Sequence, residues 1–268
     1  MTYGIGGTVG PAAVAGLSAA YAPLTALLVL CAAAVCGAGL TRALPADQSQ
    51  AHGADRTPSM RAGIALLVSR APLRRVTVLT MLSALELGAL PVVAAAFGPR
   101  LTHQAAAGAT LIATYGVGNL AGSLLVTAFP LRGEPETLAI RLFTALAVVT
   151  FTAALSPGYV FALVAFAVVG VANSASFTAT LAARSAYAPP GARAQIFVTS
   201  AGLKIALSSV GAAVAGTAAG LGGRTLLALA ASTTFTAVLA AGTDRVLSAR
   251  RAKRRQRMPE PAATDVLH

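Results

Sequence analysis

Residues 76–97 read VTVLTMLSALELGALPVVAAAF. Glu86, near the middle, is the only charge, and Thr77, Thr80 and Ser83 are the only other polar side chains. A water-soluble helix turns a glutamate to its wet face, and this stretch has no wet face. About 20 apolar residues are enough to cross hydrocarbon as a helix. An ionisable group at mid-depth there is expensive and ordinarily faces a protein interior or a wet cavity. The stretch predicts a membrane helix, with Glu86 as the first functional candidate.

The rest of the chain agrees with lipid as its solvent. Of 268 residues, 56% are hydrophobic and 10% charged, whereas a soluble domain carries about 25% charged residues. Mean hydropathy is +0.74 and the pI is near 11.2. The net charge of +12 lies between apolar runs and at the C-terminus. With no Trp and no stacking-aromatic pattern, it reads as membrane-orientation charge and not as a nucleic-acid surface. Cys31 and Cys36 stand about 140° apart on a helix and have no metal-ligand spacing. His52, His103 and His268 fall in loops or the tail. The sequence therefore predicts no metal, no cofactor and no catalytic constellation: there is no HExxH, GxSxG or paired-Asp arrangement in the apolar runs. No enzyme activity is expected.

Eight membrane helices are predicted, making an all-α, polytopic integral membrane bundle. They are residues 3–21, 23–44, 76–97, 104–129, 138–155, 159–183, 195–221 and 225–243. Turn residues punctuate them, as at Gly98-Pro99, Ser156-Pro157-Gly158, Pro189-Pro190-Gly191 and Gly222-Gly223. Residues 60–75 are amphipathic: Met60, Ile64, Leu67, Val68 and Ala71 share a face flanked by Arg61, Arg70, Arg74 and Arg75. Such a segment is expected to lie along the headgroups. Residues 245–268 are basic, then polar, and are expected to be a disordered tail.

The charges are strongly one-sided. Seventeen of the 20 Lys and Arg fall on alternate connections and the tail, and two, Arg100 and Arg224, on the opposite connections. Lys204 lies within a helix. That bias places the linker and C-terminus in the cytoplasm of a multi-pass cell-membrane protein.

Two helices, a basic linker with an amphipathic lead-in, six helices and a basic tail resemble the major facilitator superfamily from its fifth helix onward. Gly6-Gly7-Thr8-Val9-Gly10-Pro11 is similar to the start of the antiporter motif GxxxGPxxGG, with Val14-Ala15 where the motif closes on GG. Gly116-Val117-Gly118-Asn119-Leu120-Ala121-Gly122 resembles the glycine-rich eighth helix. Pro189-Pro190-Gly191-Ala192-Arg193-Ala194 resembles the loop before the eleventh helix, and residues 211–220 its small-residue run. Pro130-Leu131-Arg132-Gly133-Glu134-Pro135 stands where a charged loop motif is expected. The resemblance implies that residues 1–45 are the last two helices of an N-terminal bundle and 46–75 a cytoplasmic linker. It implies that residues 76–244 are a complete C-terminal six-helix bundle and 245–268 the tail. A chain so placed lacks the first four helices of the family's two-bundle design.

Glu86 and Lys204 are the only ionisable residues deep in the apolar runs, at roughly 15 and 13 Å from the same side. The corresponding family helices share one bundle, so the resemblance implies that the two meet. Either they form a static ion pair, or Glu86 exchanges Lys204 for a proton or substrate. Polar stripes at helical spacing add Tyr115, Asn119, Ser123 and Thr127; Asn173, Ser176 and Thr180; and Ser200, Lys204 and Ser208. Such stripes either join helices or line a cavity. Asn173, Asn119, Tyr115, Ser200 and Ser208 are the cavity candidates, and the resemblance puts Asn173 first. The small-residue runs 118–122 and 216–220 fit close helix crossings.

The family implied is one of transmembrane transporters. The expected function is secondary-active export of small amphipathic molecules, with protons as a candidate coupling ion and the lipid bilayer as the surrounding partner. The alternative is a non-transporting membrane remnant or scaffold that associates with another membrane half.

Overall fold

The 32-residue helix built from the Glu86 stretch is the axis on which the other helices pack. The structure is a computed structural model that describes residues 60–104 and 106–257, together with Ala32, Val35, Cys36 and Gly39, which are helical. The first predicted span, the second apart from those four residues, the Gly6–Pro11 motif, Cys31 and residues 258–268 lie outside the described residues.

Seven α-helices follow in order: α1 (Met60–Ser69), α2 (Ala71–Thr102), α3 (Ala107–Ala128), α4 (Pro135–Ala154), α5 (Tyr159–Tyr187), α6 (Arg193–Thr217) and α7 (Gly223–Arg257). Single 3-10 turns at Pro190–Ala192 and Ala219–Leu221 precede α6 and α7. No strand occurs among the described residues. Helices α2 to α7 are each long and apolar enough to cross a membrane, so six of the eight predicted spans are present and two, apart from those four residues, fall outside the described residues.

Prolines set several starts, because a residue without an N–H fits the first turn of a helix. Pro72 opens α2 after extended Arg70, and Pro135 opens α4 after extended Glu134. The expected turn at Gly98-Pro99 is instead helical. Both Pro91 and Pro99 lie inside α2, which ends at His103 in the left-handed region, φ 59°, with its N–H on the Pro99 carbonyl at 2.8 Å. Helix α3 closes directly onto this end: a β-carbon on Gly98 would strike the Gly108 backbone, and one on Gly108 the Ala94 carbonyl. Two glycines let the backbones touch, so the chain reverses after Pro99 and not at it.

Helix α2 touches every other helix of the bundle; α3 packs on α5, and α4 on both α5 and α7. The core is made of Leu79, Leu90, Val93, Phe97, Leu111, Leu146, Phe166 and Leu227, all at most 2% exposed. Outward faces carry exposed Val117, Leu124, Phe161, Val198, Ile205 and Val214. An apolar interior with an apolar exterior is what lipid as solvent selects.

The amphipathic segment differs from the expectation in its extent. Only Met60–Ser69 forms the separate helix α1, and residues 71–75 are already the first turn of α2. Leu67 and Leu73 bury against Ile196 and Ala188, which ties α1 to the start of α6, while Val68 stays exposed. At the other end, α7 runs on through Arg257, past the expected boundary at 245. Ala, Arg, Lys and Gln, which fill residues 249–257, are good helix formers, and Arg245 is fastened by Glu134 at 3.0 Å.

Candidate functional site

Glu86 is 1% exposed and meets no cation among the described residues. The Thr150 hydroxyl of α4 donates to one carboxylate oxygen at 2.6 Å, and the Thr234 hydroxyl of α7 donates to the other. Both threonines are fully buried. Taking a carboxylate out of water costs several kcal/mol, and hydrogen bonds to a charged acceptor return part of that.

The expected Glu86–Lys204 pair does not form. The reason is angular. Helix α2 meets α6 through Leu85 and Gly88: a β-carbon on Gly88 would strike the Ser208 carbonyl, and one on Gly211 the Leu85 carbonyl. At 100° per residue, Glu86 points about 130° away from that contact, toward α4 and α7. Lys204 instead sets its ammonium 4.4 Å above the Phe177 ring of α5. Glu86 therefore faces α4 and α7, while Lys204 stands on α6, across the Leu85–Gly88 face of α2.

The cavity candidates divide. Asn173 of α5 donates to Asn119 of α3 at 3.2 Å, and Tyr115, one turn before Asn119, lies on the same stretch of α3 that packs against Gly170 of α5. Three of the five therefore form one half-buried polar cluster between α3 and α5. Ser200 is buried but donates to its own helix, at Phe197. Ser208 serves through its backbone, which abuts Gly88. Ser123, Thr127, Ser176 and Thr180 likewise bond carbonyls of their own helices.

The small-residue runs also divide. Gly118 packs on the Ala167 backbone, Gly122 on Val171, and Gly170 on the Tyr115–Asn119 backbone, so α3 and α5 cross in direct contact. Gly216 and Gly220 meet nothing within 4 Å and make no crossing among the described residues.

Sequence reasoning missed Thr150 and Thr234, and it counted Arg184 as a loop charge. Helix α5 runs four residues beyond the expected end at 183. Arg184 is consequently inside the bundle, 3% exposed, donating to Thr80 at 3.0 Å. Another missed group lies at the same end. Arg75, 7% exposed, bonds Glu136 of α4 and, at 2.9 Å, Asp244 of α7; Arg74 reaches Asp244 at 2.5 Å. This net gathers the basic ends of α2, α4 and α7. A register signal existed: Glu86 is eleven residues from Arg75, and Thr234 ten from Asp244. Antiparallel helices pinned at one pair bring the other pair level.

At the far end Arg100 and Arg224 line a cleft of about 180 Å³, and Arg224 donates to the Ser156 carbonyl at 2.9 Å. No group of three or more His, Cys, Asp or Glu suited to a metal occurs among the described residues.

Six apolar spans around a buried carboxylate define the class: a multi-pass helical membrane protein. Among known proteins, no family model, no curated protein and no solved structure matches the chain.

Proposed function

We propose that the chain is the C-terminal portion of a major-facilitator-type secondary transporter, its C-terminal six-helix bundle preceded by two helices of the N-terminal one. It exports small amphipathic molecules, and Glu86 is the proton-exchanging group. The observation that carries this reading is the setting of Glu86. A mid-depth carboxylate held by two hydroxyls and no cation can take up or release a proton without breaking an ion pair. The Tyr115–Asn119–Asn173 cluster between α3 and α5 supplies polar contacts for a solute. The one-sided basic residues support a cytoplasmic linker and tail in the cell membrane.

The test is proton flux into liposomes containing the full chain, followed with an entrapped pH dye, alone and with the complementary four-helix segment that the resemblance implies. Solute-dependent flux that Glu86→Gln abolishes supports the reading. Flux unchanged by Glu86→Gln removes the carboxylate from coupling. A non-transporting scaffold draws on the near-total enclosure of Glu86, 1% exposed. That reading expects stable insertion and no flux under either condition.

A further inference from the structure

The described residues contain four carboxylates, and all are engaged. Glu134, Glu136 and Asp244 bind Arg74, Arg75 and Arg245 at the basic end. Glu86 is taken by threonine hydroxyls. Two buried or half-buried cations, Arg184 and Lys204, are left with no carboxylate among the described residues. Only one nitrogen of Arg184 is bonded there, Nη2 to Thr80; its Nε is buried with no partner. Lys204 makes no ion pair or hydrogen bond among the described residues, and its ammonium rests on Phe177.

The position of the second orphan matters. Two buried side-chain polar atoms lack a partner among the described residues: Arg184 Nε and Thr77 Oγ1. Thr77 lies one turn before Thr80 on α2. On a helical wheel it falls between Thr80, which meets α5, and the Leu85–Gly88 flank, which meets α6. Phe177 and Arg184 are seven residues apart on α5, hence on one face, and Lys204 stands on Phe177. Two cations and an unused hydroxyl thus line the seam between α2, α5 and α6. Buried donors are ordinarily satisfied, and uncompensated buried charge is costly. A group that accepts hydrogen bonds and carries negative charge would satisfy all three.

We infer that Arg184, Lys204 and Thr77 form a binding site for the oxyanion, carboxylate or phosphate, of a small solute. Arg184 supplies the directional donor, Lys204 a point charge held on Phe177, and Thr77 the third hydrogen bond. The site lies across α2 from Glu86, so anion binding and proton exchange use separate faces of one helix. Calling the ligand a transported substrate rests on the transport reading; the site itself does not. Binding is therefore read without flux, and either can fail alone.

The experiment is equilibrium dialysis of the full chain in detergent, delipidated, against radiolabelled benzoate and, separately, inorganic phosphate. Saturable binding of at least one probe is expected. Lys204→Gln and Arg184→Gln should each weaken it about tenfold or more. Arg184→Lys should retain part of it, and Arg100→Gln at the far end should not change it. Circular-dichroism melting checks that each variant is folded; Lys204, half-buried, is the safer substitution. No saturable binding, or binding equal in wild type and Lys204→Gln, overturns the site. Retention of phosphatidylglycerol that Lys204→Gln releases, with neither probe bound, assigns the pair to a lipid headgroup and overturns the solute. Binding that appears only in Asp47→Asn/Asp55→Asn shows that the chain's own carboxylates fill it, which also overturns the proposal.

Discussion

Thr150 on α4 donates its hydroxyl to Glu86 on α2 across 2.6 Å, and both groups are buried. The bond ties two helices that otherwise touch little, since most of the α2 surface faces α6 and α7. Removing the hydroxyl while leaving the carboxylate exposes the asymmetry of buried hydrogen bonds: an unmet partner costs about 1–3 kcal/mol, more than the bond itself contributes. Thr150→Val should therefore lower the unfolding free energy in detergent by that amount. In the Glu86→Leu background the same substitution should be near neutral. A double-mutant cycle measures the difference, and equal effects in both backgrounds would sink the pairing.

The crossing of α2 and α6 depends on two absent side chains. A β-carbon on Gly88 has nowhere to go but into the Ser208 carbonyl, and one on Gly211 into the Leu85 carbonyl. These are backbone atoms and cannot rotate away. Gly88→Ala should force the helices apart and lose several kcal/mol, within the range for overpacking of about 1–3 kcal/mol or more. Gly216→Ala, whose β-carbon meets nothing within 4 Å, should be neutral or slightly stabilising, since alanine is the better helix former by about 1 kcal/mol. Thermal melts of the two variants side by side decide it. Equal losses would mean that α6 is not seated as described.

The charge net at the basic end should be graded by burial. The Arg75 and Glu136 side chains are 8% and 5% exposed, whereas Arg74 and Asp244 are 37% and 30% exposed. Breaking a buried pair by removing one partner costs about 3–5 kcal/mol, and an exposed pair is worth about 0–1 kcal/mol. Glu136→Gln should accordingly destabilise strongly and Arg74→Ala weakly. The Arg74→Ala loss should shrink further in high salt. A large, salt-independent Arg74→Ala effect would contradict the ranking.

Composition and hydropathy were sufficient to read the six described membrane helices, because a lipid-facing helix needs an unbroken apolar run and each of those runs has that length. Boundaries were less legible. Gly98-Pro99 reads as a turn by local chemistry, yet close packing of Gly98 on Gly108 keeps it helical. Arg184 reads as a loop charge because sequence hydropathy ends at 183, but Thr80 and the bundle interior hold it. Depth along a helix is written in residue number, which is why Glu86 and Lys204 read as neighbours; in the fold α2 meets α6 at Ser208 and Gly211 instead. Azimuth depends on which neighbour each face meets, and that is a property of the packing. The polar partners of Glu86 were hidden for the same reason: Thr150 and Thr234 are ordinary threonines in apolar helices until the register between Arg75 and Asp244 brings them level with it.

Asn173 and Ser200 give the sharpest contrast between a polar residue that joins helices and one that does not. The Asn173 amide reaches Asn119 on another helix at 3.2 Å, and interhelical hydrogen bonds in membranes are worth about 0.6 kcal/mol on average and up to about 2. Ser200 spends its hydroxyl on Phe197 of its own turn, a bond that gives no interhelical gain. Asn173→Ala should lower stability by about 0.6–2 kcal/mol, and Asn119→Ala by a similar amount. The two together should lose little more than either alone, because one bond is shared. Ser200→Ala should leave the melt unchanged. Additive losses at Asn119 and Asn173 would show that the two side chains do not share a bond, and would remove the Asn173–Asn119 link between α3 and α5.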